Sequence, residues 1–275
     1  MSTDLTDVRV EDHAGVRIVL LDRPAKRNAL TPAMLATVAD LVRTFAADQS
    51  AKALVLGGEG PVFCGGFDLK MCLSRPGTTA ALLTGLAELI DLLDGCDKPV
   101  VIAAHGGAIA GGCALLGAAD GVIGNQTGQY GYPVLKLGLS PAVSAPALAE
   151  LIGWGAARRR LLDVGLIDGH EARRLGLLHQ LMDWPEDVLP KAVRLAANLA
   201  SKPPEGYAAT KQLLRSLRGG GPNQAGGETT GAGARRRALE ASLSTADSSE
   251  MHTRLSALFA PAASSSPPVT KDSAP

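Results

Sequence analysis

Residues 105–115 read HGGAIAGGCAL, and residues 57–71 read GGEGPVFCGGFDLKM. Each segment follows a short apolar run (99–103, PVVIA, and 52–56, KALVL), and each sets a Gly-Gly pair before a stretch that suits a helix, the first helix opening near Phe67. Glycine lets the backbone approach a ligand closely, and a helix start offers free N–H groups at the positive end of its dipole. One such turn equally fits plain close packing. Two in one chain suggest a sharper arrangement, in which one backbone N–H from each segment converges on a single carbonyl oxygen to form an oxyanion hole without side chains. The alternatives fall on spacing: Gly106-x4-Gly111 is followed by Gly112-Cys113 rather than Lys-Ser/Thr, and both Gly-x-Gly-x-x-Gly and Gly-x-Ser-x-Gly are absent from these segments.

Outward from these segments, residues 16–21 (VRIVLL), 52–56, 99–103 and 121–123 are short, apolar and unalternating, as strands covered on both faces are. Helical stretches lie between them at 78–94 and 111–118. Thr31 reads as an N-cap with Pro32 at the first helical position, followed by Met34, Leu35, Val38, Leu41, Val42 and Phe45 at helical spacing. The alternation predicts an α/β fold. Beyond residue 144 the pattern turns helical, at 144–152, 155–164, 170–175, 186–200 and 203–217, with one more strand at 177–181. Residues 219–234 hold seven glycines and read as a flexible insertion. Helical periodicity resumes at 235–246 and 248–259, and the Ser/Pro/Ala-rich residues 261–275 read as a disordered tail. The expected organisation is a core over 1–200, a helical region over 201–260 and that tail.

Composition excludes several classes. The chain has 275 residues, with 27 Lys+Arg against 27 Asp+Glu. That balance argues against a nucleic-acid partner held through phosphates. No run of 18 apolar residues exists, so no membrane span is expected. Residues 1–5 (MSTDL) lack a basic region leading into an apolar one, so a cytoplasmic location is expected. Cys64, Cys72, Cys96 and Cys113 show no metal-ligand spacing, and no metal site is expected.

Taken in order, the motifs resemble the crotonase (enoyl-CoA hydratase/isomerase) superfamily over about residues 8–218, and weakly again near 238–260. Residues 21–30 (LDRPAKRNAL) look like its first signature. Residues 63–69 (FCGGFDL) and 104–112, with Ala118-Ala119-Asp120, are similar to its two oxyanion segments. Ile167-Asp168, Glu171-Ala172 and Leu175-Gly176-Leu177 match a later turn, helix and strand. The resemblance implies a spiral of ββα units with a C-terminal helical trimerisation region, a homotrimer or homohexamer, and an acyl-CoA thioester as substrate with no separate cofactor. It places the thioester oxygen at the backbone N–H groups of Phe67 and Gly111. It sets Lys26, Arg27 and Ala29 along the CoA path, and Gly65, Gly66, Asp68 and Leu69 near adenine and pantetheine. Gly112, Pro133 and Val134 complete the substrate-contacting set, and Phe259 is a candidate for a neighbour's CoA site.

Hydration of an enoyl thioester needs a base for water and an acid for the α-carbon. The resemblance puts these carboxylates at positions that are Ala114 and Val134 here, and an isomerase acid at Ala142. None of the three can move a proton. Asp68 and His105 are the remaining acid/base candidates, Asp68 with loop capping as its competing role and His105 with a backbone hydrogen bond. The reading is an enoyl-CoA hydratase/isomerase-type lyase or isomerase that stabilises an enolate. The alternatives are a malonyl-type acyl-CoA decarboxylase, whose enolate forms without a base, and a non-catalytic acyl-CoA binder.

Overall fold

The computed structural model describes residues 2–5, 7–217 and 248–260, together with positions 236, 239, 240, 243 and 246. The expected insertion at 219–234 and the tail at 261–275 lie outside the described residues.

The main sheet runs in the order β1 (Ser2–Leu5), β2 (Val8–His13), β3 (Val16–Leu21), β4 (Ala53–Gly58), β5 (Val100–Ala104), β7 (Gly121–Asn125) and β9 (Gln180–Met182). β1, β2 and β3 pair antiparallel, and every later pairing is parallel. Both faces of the parallel part are covered, which explains the unalternating apolar runs. Val19, Leu21, Leu54, Leu56, Ile102 and Val122 enter the main core, together with buried residues of α1 (Pro32–Ala47) and α3 (Thr78–Gly95). Their strand neighbours Ile18, Leu20, Val55, Val101, Ala103 and Ile123 pack instead with Val188, Ala192 and Ala196 of α8 (Val188–Ala200).

Local signals set the element boundaries. Thr31 caps α1 as read, its hydroxyl accepting from the Met34 N–H at 3.1 Å, a contact of about 1 kcal/mol. The helices expected at 144–152, 155–164, 170–175 and 203–217 are α5 (Ala145–Ile152), α6 (Trp154–Leu162), α7 (Gly169–Leu175) and α9 (Pro204–Leu217). The strand expected at 177–181 falls later, at Gln180–Met182, because Leu177 and Leu178 close α7 through N–H groups donated to the Ala172 carbonyl. The helix expected near Phe67 begins two residues on, as α2 (Leu69–Ser74) with Asp68 as its cap.

A second sheet positions the candidate site. β6 (Gly107–Ile109) and β8 (Gln129–Gly131) pair in parallel and lead into α4 (Gly111–Leu116) and a 3-10 turn at Pro133–Leu137. β6 also binds the loop after β4. The Phe63 N–H donates to the His105 carbonyl at 2.8 Å, and the Ile109 N–H to the Cys64 carbonyl at 3.0 Å. The two glycine-rich segments are thereby laced together by main chain.

At the C-terminal end, α10 (Ser249–Phe259) is capped by Ser248 and buries Met251 and Leu255 in the main core. Phe259 lies under the ammonium of Lys70 in the same chain, 5.6 Å from it. Among the described residues, no helix is long and apolar enough to cross a membrane, and no cluster of three His, Cys, Asp or Glu could hold a metal ion.

Candidate active site

A cavity of about 250 Å³ opens where the two glycine-rich segments meet. The first supplies Gly65, Phe67 and Leu69, the second Ile109, Ala110 and Gly111, and the following turn Tyr132, Pro133 and Val134. Leu83 and Leu86 of α3 close one side, and Leu139, Ser140, Pro141, Val143 and Ser144 another. The wall is mostly apolar, and no carboxylate among the described residues stands on it.

The segments meet closely because they are glycine. A Cβ on Gly112 would stand 2.6 Å from the Cys64 Cβ and 2.8 Å from its carbonyl oxygen. Gly66, at φ +97°, could carry a side chain only with backbone strain, and its Cβ would press on the Ile109 carbonyl at 3.1 Å. Gly66 and Gly112 therefore hold the two turns together behind the cavity, while Gly65 and Gly111 border it. Leu30 clamps the first segment: its N–H donates to the Gly66 carbonyl at 2.7 Å, and its carbonyl accepts from the Asp68 N–H at 3.0 Å. The Phe67 N–H between them has no backbone acceptor among the described residues. Gly111 is the first residue of α4, where an N–H has no acceptor within the helix.

Ala110 sits just before Gly111 at φ 51° and ψ −112°, a conformation that glycine adopts readily and alanine rarely. Its N–H donates to the Gly131 carbonyl at 2.8 Å and its carbonyl accepts from the Ala114 N–H at 3.0 Å, which hold it there. Such strain costs about 1–3 kcal/mol, and a new glycine returns about 0.4–1 kcal/mol to the unfolded chain. Ala110→Gly is expected to raise stability by about 1 kcal/mol in urea denaturation; an unchanged or lower midpoint would show that the turn stores no strain.

The acid/base candidates are not on the wall. Asp68 accepts from the Met71 N–H at 3.1 Å and pairs with Arg23 at 3.2 Å, so its carboxylate caps α2 and fixes the first signature loop. The His105 ring reaches the Gly60 carbonyl at 2.9 Å, and His105 does not border the cavity. Among the positions without carboxylates, Val134 lines the cavity, whereas Ala114 is buried beneath it at 2% exposure. Of the CoA-path residues, Arg27 borders the cavity from an exposed turn. Lys26 is exposed beside it without lining the wall, and half-buried Ala29 accepts from the Arg23 guanidinium at 2.6 Å.

The buried thiols and the Tyr132 phenol beside the cavity stay protonated. Burial pushes the Cys64 and Cys113 thiols up to about 12, so neither is a thiolate nucleophile near neutrality. Tyr132 lies on the wall, but its hydroxyl donates to the Cys113 carbonyl at 3.1 Å and burial raises it well above its ordinary value. It is no general base.

Asn28 was not singled out from sequence. It is fully buried at φ 53°, accepts from the Arg23 N–H at 2.8 Å, and donates to the Glu59 and Val62 carbonyls at 2.8 Å each. It fastens the turn bearing Arg27 to the first glycine-rich loop, where the Gly65 N–H also donates to the Arg27 carbonyl at 2.8 Å. Asn125 does the same for the second loop, accepting from the Gly106 N–H at 2.7 Å.

The sequence pattern of enoyl-CoA hydratase/isomerase matches residues 11–230, a span that includes both glycine-rich segments and the whole cavity wall. The chain belongs to this family. A 2,3-dehydroadipyl-CoA hydratase of Escherichia coli is 29% identical over 213 residues, covering 77% of this chain and 82% of that protein. A crotonyl-CoA hydratase of Syntrophomonas wolfei is 28% identical over 199 residues, covering 71% and 76%. An enoyl-CoA hydratase/isomerase crystal structure from Mycobacterium paratuberculosis superposes with a TM-score of 0.80 at 23% identity, over 92% of this chain and 98% of that one. These matches establish membership of the crotonase superfamily and its fold.

Proposed function

We propose that the chain binds an acyl-CoA thioester with its carbonyl oxygen between the Phe67 and Gly111 N–H groups, and that these donors stabilise the enolate formed there. The observation that carries this reading is that both residues border one apolar cavity, with N–H groups that have no backbone acceptor among the described residues. In a dry, low-dielectric wall each donor is worth about 3 kcal/mol of transition-state stabilisation. Arg27 at the cavity edge and Lys26 on the same exposed turn suit the CoA phosphates. A trimer or hexamer belongs to the same reading; the exposed Trp154, Leu162 and Trp184 offer apolar area for such contacts.

The missing carboxylates favour a second reading of the reaction over two-carboxylate hydration. In a malonyl-type thioester the bond from the α-carbon to the carboxylate breaks, carbon dioxide leaves, and the electron pair enters the enolate. No protein base is needed.

The pure protein is incubated with crotonyl-CoA, a 3-enoyl-CoA and methylmalonyl-CoA, and products are read by mass. Added water, an isobaric shift with changed retention, or loss of carbon dioxide identifies hydration, isomerisation or decarboxylation. Bound thioester at 100 times its Kd should stabilise the fold by about 2.7 kcal/mol. Stabilisation without turnover supports a binding protein, and absence of both overturns the acyl-CoA reading.

A further inference from the structure

The cavity has an annex. A smaller apolar space shares the walls Phe67, Leu69, Leu137 and Leu139 with it, and continues to Cys72, Thr79, Met251 and Leu255. The space itself is only about 10 Å³, so side chains nearly fill it. Its far side is α10. That helix packs on the Pro133–Leu137 turn and on α2, the two elements that carry Leu137, Leu69 and Cys72. Met251 and Leu255, at 2% and 1% exposure, are the α10 side chains turned inward, whereas Leu258 is 56% exposed. Thr79, from the first turn of α3, is 1% exposed, and its hydroxyl has no hydrogen-bond partner among the described residues.

We propose that α10 is the floor of the acyl-chain site, and that Met251 and Leu255 set the length of acyl chain that the protein accepts. The inference rests on the acyl-CoA reading above. A thioester held at Phe67 and Gly111 sends its acyl chain along Leu69, Leu137 and Leu139, and these residues lead to Met251 and Leu255. The acyl group this space suits is an uncharged hydrocarbon. Among the described residues, Arg27 is the cation bordering the main cavity and sits on the exposed turn at the CoA side, and no charged residue lines the annex. A chain that stays inside the existing walls gains about fourfold in affinity for each buried methylene. A longer one must displace the two α10 side chains, and the gain stops.

The test is a Kd series by calorimetry on the full chain with saturated acyl-CoAs from two to twelve carbons. Affinity should rise with carbon number and then break. Leu255→Ala removes about three methylene equivalents from the floor, and should move the break to longer chains while leaving acetyl-CoA and butyryl-CoA unchanged. Leu255→Phe fills the annex and should move it to shorter chains. Opposite shifts from the two variants do not arise from a damaged fold, and Leu255→Met, similar in volume, should leave the break in place. A break at one carbon number in every variant, with short-chain affinity intact, overturns the proposal and leaves the acyl-CoA reading standing. No binding at any length by the wild-type protein overturns both.

Discussion

Gly111→Pro should lower kcat about 10²- to 10³-fold on whichever thioester the wild-type protein turns over, while Gly111→Ala should lose far less. Proline removes the N–H from the first position of α4, where no intrahelical bond depends on it, and its ring also presses on the strained Ala110 before it. The substitution has a second consequence that needs a control. A Cβ at 111 would lie 2.9 Å from the Phe67 ring edge and 3.3 Å from the Leu30 side chain, so the ring must yield. Alanine introduces the same Cβ and keeps the donor. The difference between the two variants removes the Cβ crowding and leaves the lost donor together with the proline ring's pressure on Ala110; the donor's share should appear in kcat because the oxyanion is stronger in the transition state than in the bound thioester. Equal losses in the two variants, measured at saturating substrate, would assign the effect to Phe67 packing and remove the Gly111 N–H from the site.

The sequence carried the layers and the glycine-rich turns because these depend on local patterns. Four parallel strands are apolar on both faces, and that pattern needs no knowledge of their neighbours. Thr31 before Pro32, and Asp168 before α7, mark helix starts for the same reason. What escaped was non-local. β6 and β8 are three residues each, and exist because their backbones pair with one another. β1 and β2 alternate polar and apolar residues weakly, and gain their identity from pairing, β2 with β3 and β1 with β2. The division of labour among the glycines was also hidden: Gly65 and Gly111 border the cavity, whereas Gly66 and Gly112 keep two backbones apart by no more than a missing Cβ. The position of His105 could not be read from its place in the motif, since its backbone serves the Phe63 N–H while its ring turns to Gly60. Asn28 stood inside the quoted signature, and its one available signal was that asparagine tolerates a left-handed backbone better than most residues.

Asn28→Ala should destabilise the protein by about 3 kcal/mol, because the half-buried Glu59 and Val62 carbonyls and the Arg23 N–H lose a fully buried partner. Alanine at φ 53° adds a cost of about 1 kcal/mol that Asn28→Gly avoids, so the glycine variant should be the less damaged of the two. Asn28→Asp separates hydrogen bonding from shape. A carboxylate there would be wholly buried and would face two carbonyl oxygens, so its folded-state pKa should rise above the unfolded value of about 3.9. The folded state then binds the proton more tightly than the unfolded state. Its deficit relative to wild type is smallest below the unfolded pKa and grows as pH rises toward the raised folded pKa. The gap in urea midpoint between wild type and Asn28→Asp should therefore widen from pH 4 to pH 8. A gap that stays constant across that range would mean that position 28 is hydrated, and that the link between the Arg27 turn and the first glycine-rich loop is made by the backbone bond from Gly65 alone.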